Sequence, residues 1–299
     1  MQPLHLLLAL MTTALWGFTF VVIKVGLGEF PPLLFAALRF MVVAFPAVFF
    51  VSRRGIPWRW IVAVGLAMGV VQFSLLYLGM YNGMPAGLSS LVLQSQAIFT
   101  LLLSTIVLGD APTRRQMAGM GLSVGGIGAI AFQSFSEARF FGLLLVLGAS
   151  LAWATGNICV KVANVDGFRL FVWMGLIPPL PLLALSFQSE THQSAALTSL
   201  NGWGLGALLY TGLISSVLCF GIWGFLMQRY SPNRVAPFSL LVPIFGLGFS
   251  ALLLGDRLGP AEIIGALLVF MGLGLIVTAK KDAALAKHTI RSIRLLPRR

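Results

Sequence analysis

Ten apolar stretches, each long enough to cross a bilayer, constrain the fold of this chain more than any other feature of its sequence. About 20 apolar residues span the hydrocarbon core of a membrane as a helix. Apolar residues make up 58% of the 299 residues and charged residues only 9%, whereas soluble domains carry about 25% charged residues. The sequence therefore predicts an all-α integral membrane protein with ten transmembrane helices at residues 4–26, 32–51, 60–80, 87–108, 116–133, 141–162, 168–187, 202–225, 235–255 and 260–279.

Basic residues fall mainly on one side of these stretches. Lys and Arg in short loops are retained on the cytoplasmic side of a membrane. If the N-terminus lies inside, the outer loops keep only Arg139 and Arg257. The cytoplasmic side then receives both termini and Arg53, Arg54, Arg59, Arg114, Arg115, Lys161, Arg169, Arg229 and Arg234.

About half of the net charge of +12 lies in the last twenty residues, "KKDAALAKHTIRSIRLLPRR", which hold seven of the twenty basic side chains. A basic segment beside a membrane is typical of contact with anionic lipid. Residues 280–299 are therefore predicted to form a basic cytoplasmic tail that meets membrane lipid, and nucleic acid is not a predicted partner.

The chain contains an internal repeat. "TALWGFTFVVIKVG" at 13–26 aligns with "SLAWATGNICVKVA" at 150–163, and "VLGDAPTRRQMAGMGLSVGGIGAI" aligns with "LLGDRLGPAEIIGALLVFMGLGLI" further on. We assign a first repeat to residues 1–133, an outer linker to 134–140 and a second repeat to 141–279. Each repeat holds five spans, an odd number, so the two have opposite topology. Inverted repeats of this kind are the plan of many secondary transporters.

The two repeats resemble the EamA domains of the drug/metabolite transporter superfamily. Stretches such as "GMPAGLSSLVLQSQAIFT", "TGNICVKV" and "IWGFLMQRYSPNRVAPFSLLVPIFGL" are similar to the O-acetylserine/cysteine exporter branch of that family. The resemblance implies a bacterial inner-membrane protein that exports small amino-acid metabolites from the cytoplasm by alternating access. Periodicity and charge alone do not indicate that substrate.

Alternatives to this function stay open at the level of sequence. Within the superfamily the alternative is a transporter for a broader range of amino acids, including aromatic ones, or for drugs. Outside the superfamily the alternative is a membrane receptor or scaffold, which would need an interaction domain that the chain lacks. No phosphate-binding loop, metal-ligand spacing or nucleophile–base pair occurs in the sequence, so an enzyme, a metal and a cofactor are not predicted. Energy coupling and oligomeric state are undetermined, and the GxxxG pair Gly121 and Gly125 joins helices either within one chain or between two.

The first span of each repeat places aromatic and polar residues on one helix face. Trp16 and Phe20 recur at helical spacing, and their repeat equivalents are Trp153 and Asn157. Such a face suits a cavity for a small amphipathic solute, although tryptophans also serve as packing anchors. The buried amide of Asn157 needs a hydrogen-bond partner. Lys24 and its equivalent Lys161 end these spans and are expected to extend to the membrane interfaces.

Two glutamines lie inside the fourth span. A regular helix separates Gln94 and Gln96 by about 200 degrees, so only one of them can face a cavity. We assign Gln96, which shares a face with Thr100, to the cavity and Gln94 to an interhelical hydrogen bond. In the second repeat the amides are replaced, and Pro243 leaves the carbonyl of Ser239 without its usual helical donor. That carbonyl is expected either to accept from a substrate ammonium group or to be satisfied by neighbouring hydroxyls or water.

Arg39 is the one strong charge well inside a span. An ionisable residue at this depth is by default a functional candidate, and a guanidinium group would attract a substrate carboxylate. The alternative is a structural role, because the "LRF" motif around Arg39 is widespread in the superfamily across unlike substrates. The predicted substrate site therefore comprises Trp16, Phe20, Arg39, Gln96, Thr100, Trp153, Asn157, Ser239 and Pro243.

Overall fold

A computed structural model of the chain describes residues 1–133, 137–230 and 232–279. Throughout these residues the regular structure is helical. We number the ten long helices in chain order: α1 Pro3–Gly26, α2 Pro32–Phe50, α3 Trp58–Tyr81, α4 Ala86–Leu108, α5 Arg114–Gln133, α6 Glu137–Ala163, α7 Gly167–Ser189, α8 Gly202–Arg229, α9 Pro237–Leu254 and α10 Pro260–Thr278. The predicted tail at 280–299 and residues 134–136 of the predicted linker lie outside the described residues.

Nine of these ten long helices in the described part of the chain are apolar enough to cross a membrane. The exception is α5, which is 20 residues long but rich in glycine and begins with two arginines. The predicted span at 116–133 is thus helical, but its sequence is less apolar than those of the other nine helices. The positions of all ten helices confirm the predicted all-α membrane fold.

Close glycine contacts between α5 and α10 show how the two repeats are related. A Cβ atom placed on Gly119 would lie 2.5 Å from the Gly272 carbonyl oxygen, and one on Gly126 would lie 2.5 Å from that of Gly265. In the repeat alignment Gly119 is equivalent to Gly265, and Gly126 to Gly272. Gly119 therefore contacts the equivalent of Gly126, and Gly126 contacts the equivalent of Gly119, as expected for two repeats around a pseudo-twofold axis.

The GxxxG pair singled out in the sequence does not make this contact. A Cβ atom on Gly121 or on Gly125 would meet nothing within 4 Å among the described residues. Small residues permit helix backbones to approach closely. In α5 the glycines at the close contact are Gly119 and Gly126, which are seven residues apart.

Several helices depart from regular α geometry near the middle of the bundle. Helix α4 is interrupted by a turn at Gln94 and Ser95, between its parts Ala86–Leu93 and Gln96–Leu108. The equivalent helix α9 begins within a 3-10 segment, Ala236–Leu240. Helices α3 and α8 contain π-helical segments at Gly65–Val71 and Tyr210–Leu218. Interrupted helices at equivalent positions of two inverted repeats are typical of transporter binding sites.

Candidate substrate site between the repeats

A polar cluster joins α6 of the second repeat to α4 of the first. The Asn157 amide nitrogen donates to the Gln96 side-chain oxygen at 2.8 Å and to the Thr100 hydroxyl at 3.2 Å. All three side chains are half-buried. The structure therefore brings together three residues predicted for the site, and it gives the Asn157 amide the partner that burial requires.

The interruption of α4 explains how Gln96 reaches this cluster. The amides of Gln94 and Ser95 bond to carbonyls three residues earlier, at Leu91 and Val92. Four-residue bonding resumes beyond the turn. The expectation of one regular helix through both glutamines is therefore wrong, because this turn changes the direction of every side chain after Ser95.

Gln94 makes the interhelical hydrogen bond predicted for it. Its side-chain nitrogen donates to the Ser239 carbonyl of α9 at 3.3 Å, and the Gln94 residue is 8% exposed. Proline at 243 has no N–H to donate to that carbonyl. The Ser239 carbonyl was expected to accept from an ammonium group, from hydroxyls or from water; instead a side-chain amide of the other repeat takes the place of the missing helical donor.

Trp16 contributes an aromatic surface beside α8. Its indole N–H donates to the Ser215 carbonyl at 3.0 Å, and its ring lies 5.2 Å from each of the rings of Phe220 and Trp223. The sequence analysis missed the two α8 aromatics. Phe220 and Trp223 are three residues apart and so lie on one helix face, which the sequence does show. The π-helical segment that turns this face toward Trp16 has no recognisable pattern in the sequence.

The other two aromatic candidates take different places. Phe20 is 7% exposed and belongs to the main hydrophobic core, so its predicted role on a cavity wall is not what this conformation shows. Trp153 is half-buried and packs against both the main core and a second cluster around Ile61. Within the described residues its indole N–H has no protein acceptor.

Arg39 is buried, at 4% exposure, and bridges three helices. Its guanidinium donates to the Tyr77 hydroxyl of α3 at 3.4 Å and to the Ser216 hydroxyl of α8 at 3.0 Å. The Phe73 ring centre lies 4.1 Å from its central carbon. Among the described residues no carboxylate pairs with Arg39, and its Nε has no partner. Adjacent residues Ser215 and Ser216 thus connect Trp16 and Arg39 to one segment of α8.

The two ends of the bundle are packed differently. At the end that carries Asp256, called the Asp256 end below, a Cβ atom on Gly87 would lie 3.0 Å from the Leu247 Cα, and one on Gly246 would lie 2.8 Å from the Ser90 Cβ. The Gly87 N–H also donates to the Ser250 hydroxyl at 3.0 Å. These contacts seal α4 against α9.

The opposite end, which carries Asp110 and is called the Asp110 end, lacks the equivalent seal. In the described part of the chain, Gln96–Leu108 of α4 does not pack closely against Ala236–Leu240 of α9. Lys161, at this end, is exposed. The polar cluster therefore lies between a closed Asp256 end and a more open Asp110 end.

These features define the class of protein. The chain is a multi-pass membrane protein of two inverted five-helix repeats with a polar and aromatic site between them, which is the architecture of secondary transporters. The sequence profile of the EamA-like transporter family matches residues 3–132 and again residues 140–278. The chain belongs to the EamA-like transporter family.

Known proteins that resemble the chain agree with this membership. A "Probable amino-acid metabolite efflux pump" of Salmonella typhimurium is 42% identical over 275 residues, which cover 89% of this chain and 92% of that protein. A protein of the same description in Escherichia coli K12 is 40% identical over the same shares. The "Uncharacterized inner membrane transporter YedA" of that organism is 25% identical, over 92% of this chain and 88% of its own.

A solved crystal structure shares the fold. It superposes with a TM-score of 0.61 and 17% sequence identity, covering 96% of this chain and 99% of its own. At this identity the likeness concerns the fold alone.

Proposed function

We propose that the protein exports small amino-acid metabolites, O-acetylserine and cysteine foremost, from the cytoplasm across the bacterial inner membrane by alternating access. The observation that carries the proposal is the polar cluster of Asn157, Gln96 and Thr100, which joins the two repeats where α4 is interrupted. Relatives described as amino-acid metabolite efflux pumps, at about 40% identity over most of the chain, support the substrate class.

The chemistry of the site suits a small zwitterion with a short polar side chain. The Thr100 hydroxyl and the Asn157 side-chain oxygen accept hydrogen bonds from an ammonium group, and the Gln96 side-chain N–H groups and the Trp153 indole N–H donate to a carboxylate or an acetyl oxygen. Uncharged amides and hydroxyls bind such groups less tightly than full charges do. Weak binding at several groups suits a transporter, because the substrate must leave again on the other side.

Arg39 has a separate part in this proposal. Its guanidinium is held by Tyr77, Ser216 and the Phe73 ring, so it sets the position of α8 beside the site. A buried positive charge that no carboxylate among the described residues pairs with also favours an anionic group in the site beside it. Arg39 therefore both braces the wall and attracts the substrate carboxylate.

Orientation follows from the charge distribution. The Asp110 end carries the basic loops, so it faces the cytoplasm and both termini lie inside. With this orientation the structure corresponds to a state that is open to the cytoplasm and closed to the outside.

Export of labelled substrates tests the proposal. Cells that overproduce the protein are preloaded with labelled cysteine, O-acetylserine, a large aromatic amino acid or a cationic dye, and the initial rate of release is divided by the protein in the membrane. We expect faster release of the first two compounds than in cells that carry an empty vector. Unchanged release of both would contradict the substrate assignment.

A second candidate function is efflux of larger aromatic amino acids. The aromatic cluster of Trp16, Phe220 and Trp223 supports it, because ring faces bind planar apolar groups. In the same panel, strong release of the aromatic amino acid without release of cysteine would favour this function.

A further inference from the structure

Two lysines at equivalent positions of the repeats have different partners. Lys161 of α6 forms an ion pair with Asp110 of the first repeat, with 2.8 Å between Nζ and Oδ2. Its equivalent Lys24 of α1 donates instead to the Met80 carbonyl of α3 at 3.0 Å. Within the described residues Lys24 forms no ion pair. Lys161 is exposed, and its charge is matched by a carboxylate, an ion pair that the prediction of two lysines extending to the membrane interfaces did not include.

The carboxylate equivalent to Asp110 is Asp256, and both are held in the same way. Ser104 donates to Asp110, and its repeat equivalent Ser250 donates to Asp256. Among the described residues Asp256 has no cationic partner. The serine contact of the two aspartates is thus repeated, whereas in the described part of the chain the lysine ion pair is present at Asp110 and absent at Asp256, where Arg139 and Arg257 line the neighbouring cavity.

The path of α1 directs Lys24 toward the Asp256 end. Helix α1 packs along α9, with Gly17 against Phe245 and Gly246. Lys24 lies seven residues beyond Gly17, about 10 Å further along the helix. The pairing of Lys161 with Asp110 follows the same arrangement in α6 and α4, where Asn157 contacts Gln96 one turn before Lys161.

Asp256 borders the helices that seal its end of the bundle. It lines a cavity of about 260 Å³ together with Gly87 and Leu88 of α4 and Leu247 of α9. These are residues from the two helices that must separate for this end to open. A lysine that approaches Asp256 therefore does so where the closed contact now lies.

We propose that Lys24 and Lys161 exchange partners during transport. In the state described here Lys161 pairs with Asp110 and Lys24 holds the Met80 carbonyl. In the opposite state Lys24 pairs with Asp256, while Lys161 leaves Asp110 and donates to a main-chain carbonyl near the end of α8. Asp110 and Asp256 are thus positioning residues, each of which stabilises the state in which its own end is open. This inference rests on alternating access in the proposed function.

The size of the effect follows from exposure. The Lys161 and Asp110 side chains are 53% and 29% exposed. Ion pairs this accessible to solvent contribute little, so removing one carboxylate is expected to shift the equilibrium between the two states by about two- to five-fold. A shift of this size leaves both states populated, as a transport cycle requires.

The test uses a thiol at the contact that must open. Ser90→Cys, in a Cys159→Ser/Cys219→Ala background, places the thiol where Ser90 is 1% exposed against Gly246. The rate of maleimide labelling is then measured on purified protein in detergent, so that neither membrane orientation nor substrate enters. Asp110→Asn should raise this rate about two- to five-fold, Asp256→Asn should lower it, and the double variant should restore it.

Controls separate this inference from loss of folding and from the substrate assignment. Glu137→Gln removes a charge from the Asp256 end at an exposed residue and should leave the labelling rate unchanged. Asp110→Lys combined with Lys161→Asp keeps an ion pair and should restore the rate of the reporter protein. The exchange of partners would be overturned if Asp110→Asn and Asp256→Asn changed the labelling rate in the same direction, or if neither variant changed it. Opposite shifts in a protein that exports neither cysteine nor O-acetylserine would overturn the substrate assignment only.

Discussion

The side-chain amide of Gln94 donates a hydrogen bond to the main-chain carbonyl of Ser239, which lies in the other repeat, at a distance of 3.3 Å. Two residues further on, Gln96 accepts from Asn157 at 2.8 Å. The first bond ties two interrupted helices together, whereas the second belongs to half-buried side chains between the repeats. The two glutamines therefore differ in what their loss should do.

The glutamine variants test this division. Gln94→Leu should lower the free energy of unfolding by about 1 kcal/mol, the usual contribution of an interhelical polar contact in a membrane. Gln96→Leu should instead lower the initial export rate while membrane abundance stays near that of the wild type. Thermal denaturation in detergent and export per unit protein measure the two effects. Equal effects of both variants on stability, with normal export, would remove Gln96 from the site.

Glycine variants test the contact between α5 and α10. Gly119→Ala and Gly126→Ala place a methyl group against a carbonyl oxygen of the other helix, and a clash in a packed interface costs about 1–3 kcal/mol. Gly121→Ala and Gly125→Ala, on the same helix but with open space around them, should be neutral or stabilising by up to about 1 kcal/mol through helix propensity. Thermal denaturation of the four proteins compares them. Equal melting temperatures would contradict the reciprocal packing of the repeats.

Arg39→Lys tests whether the guanidinium braces the site. An ammonium group cannot bond to Tyr77 and Ser216 at once while it also covers the Phe73 ring. We expect a loss of about 1–2 kcal/mol in the free energy of unfolding, from one hydrogen bond and a buried cation–π contact. Arg53→Lys, which changes a cation–π contact with Trp58 in a more exposed place, is the matched control. A stable Arg39→Lys protein with a raised KM would indicate that the residue acts on substrate alone.

Membrane topology is tested with single cysteines at exposed positions. In intact cells a membrane-impermeant thiol reagent should label Glu137→Cys and leave Arg54→Cys unlabelled, because the loop at Arg54 belongs to the basic side. Glu190 is a poorer reporter of the outer side, since its carboxylate accepts from the Leu33 and Leu34 amides at the start of α2. Labelling of Arg54→Cys without disruption of the cells would reverse the orientation.

Much of the architecture follows from the sequence by simple physical rules. Span length, repeated motifs and the odd number of spans per repeat predict the helices and their inverted arrangement. The site is less predictable, because the turn at Gln94 and Ser95 contains neither glycine nor proline. The bond from Gln94 to Ser239 and the bridge from Arg39 to Tyr77 and Ser216 join residues that are far apart in sequence. A helix-face argument compares residues within one helix and gives no information on such partners.

Initial export rates in proteoliposomes test the central claim most directly, namely that amino-acid metabolites pass between the repeats beside Asn157. Purified wild-type protein and Asn157→Leu are reconstituted at equal density, and release of labelled cysteine and O-acetylserine is compared with that from protein-free liposomes. We predict rapid release by the wild type and release at least about ten-fold slower by Asn157→Leu, because the variant removes the amide that holds Gln96 and Thr100 and whose oxygen accepts from substrate. Equal rates for the two proteins, or wild-type release no faster than from protein-free liposomes, would contradict this account.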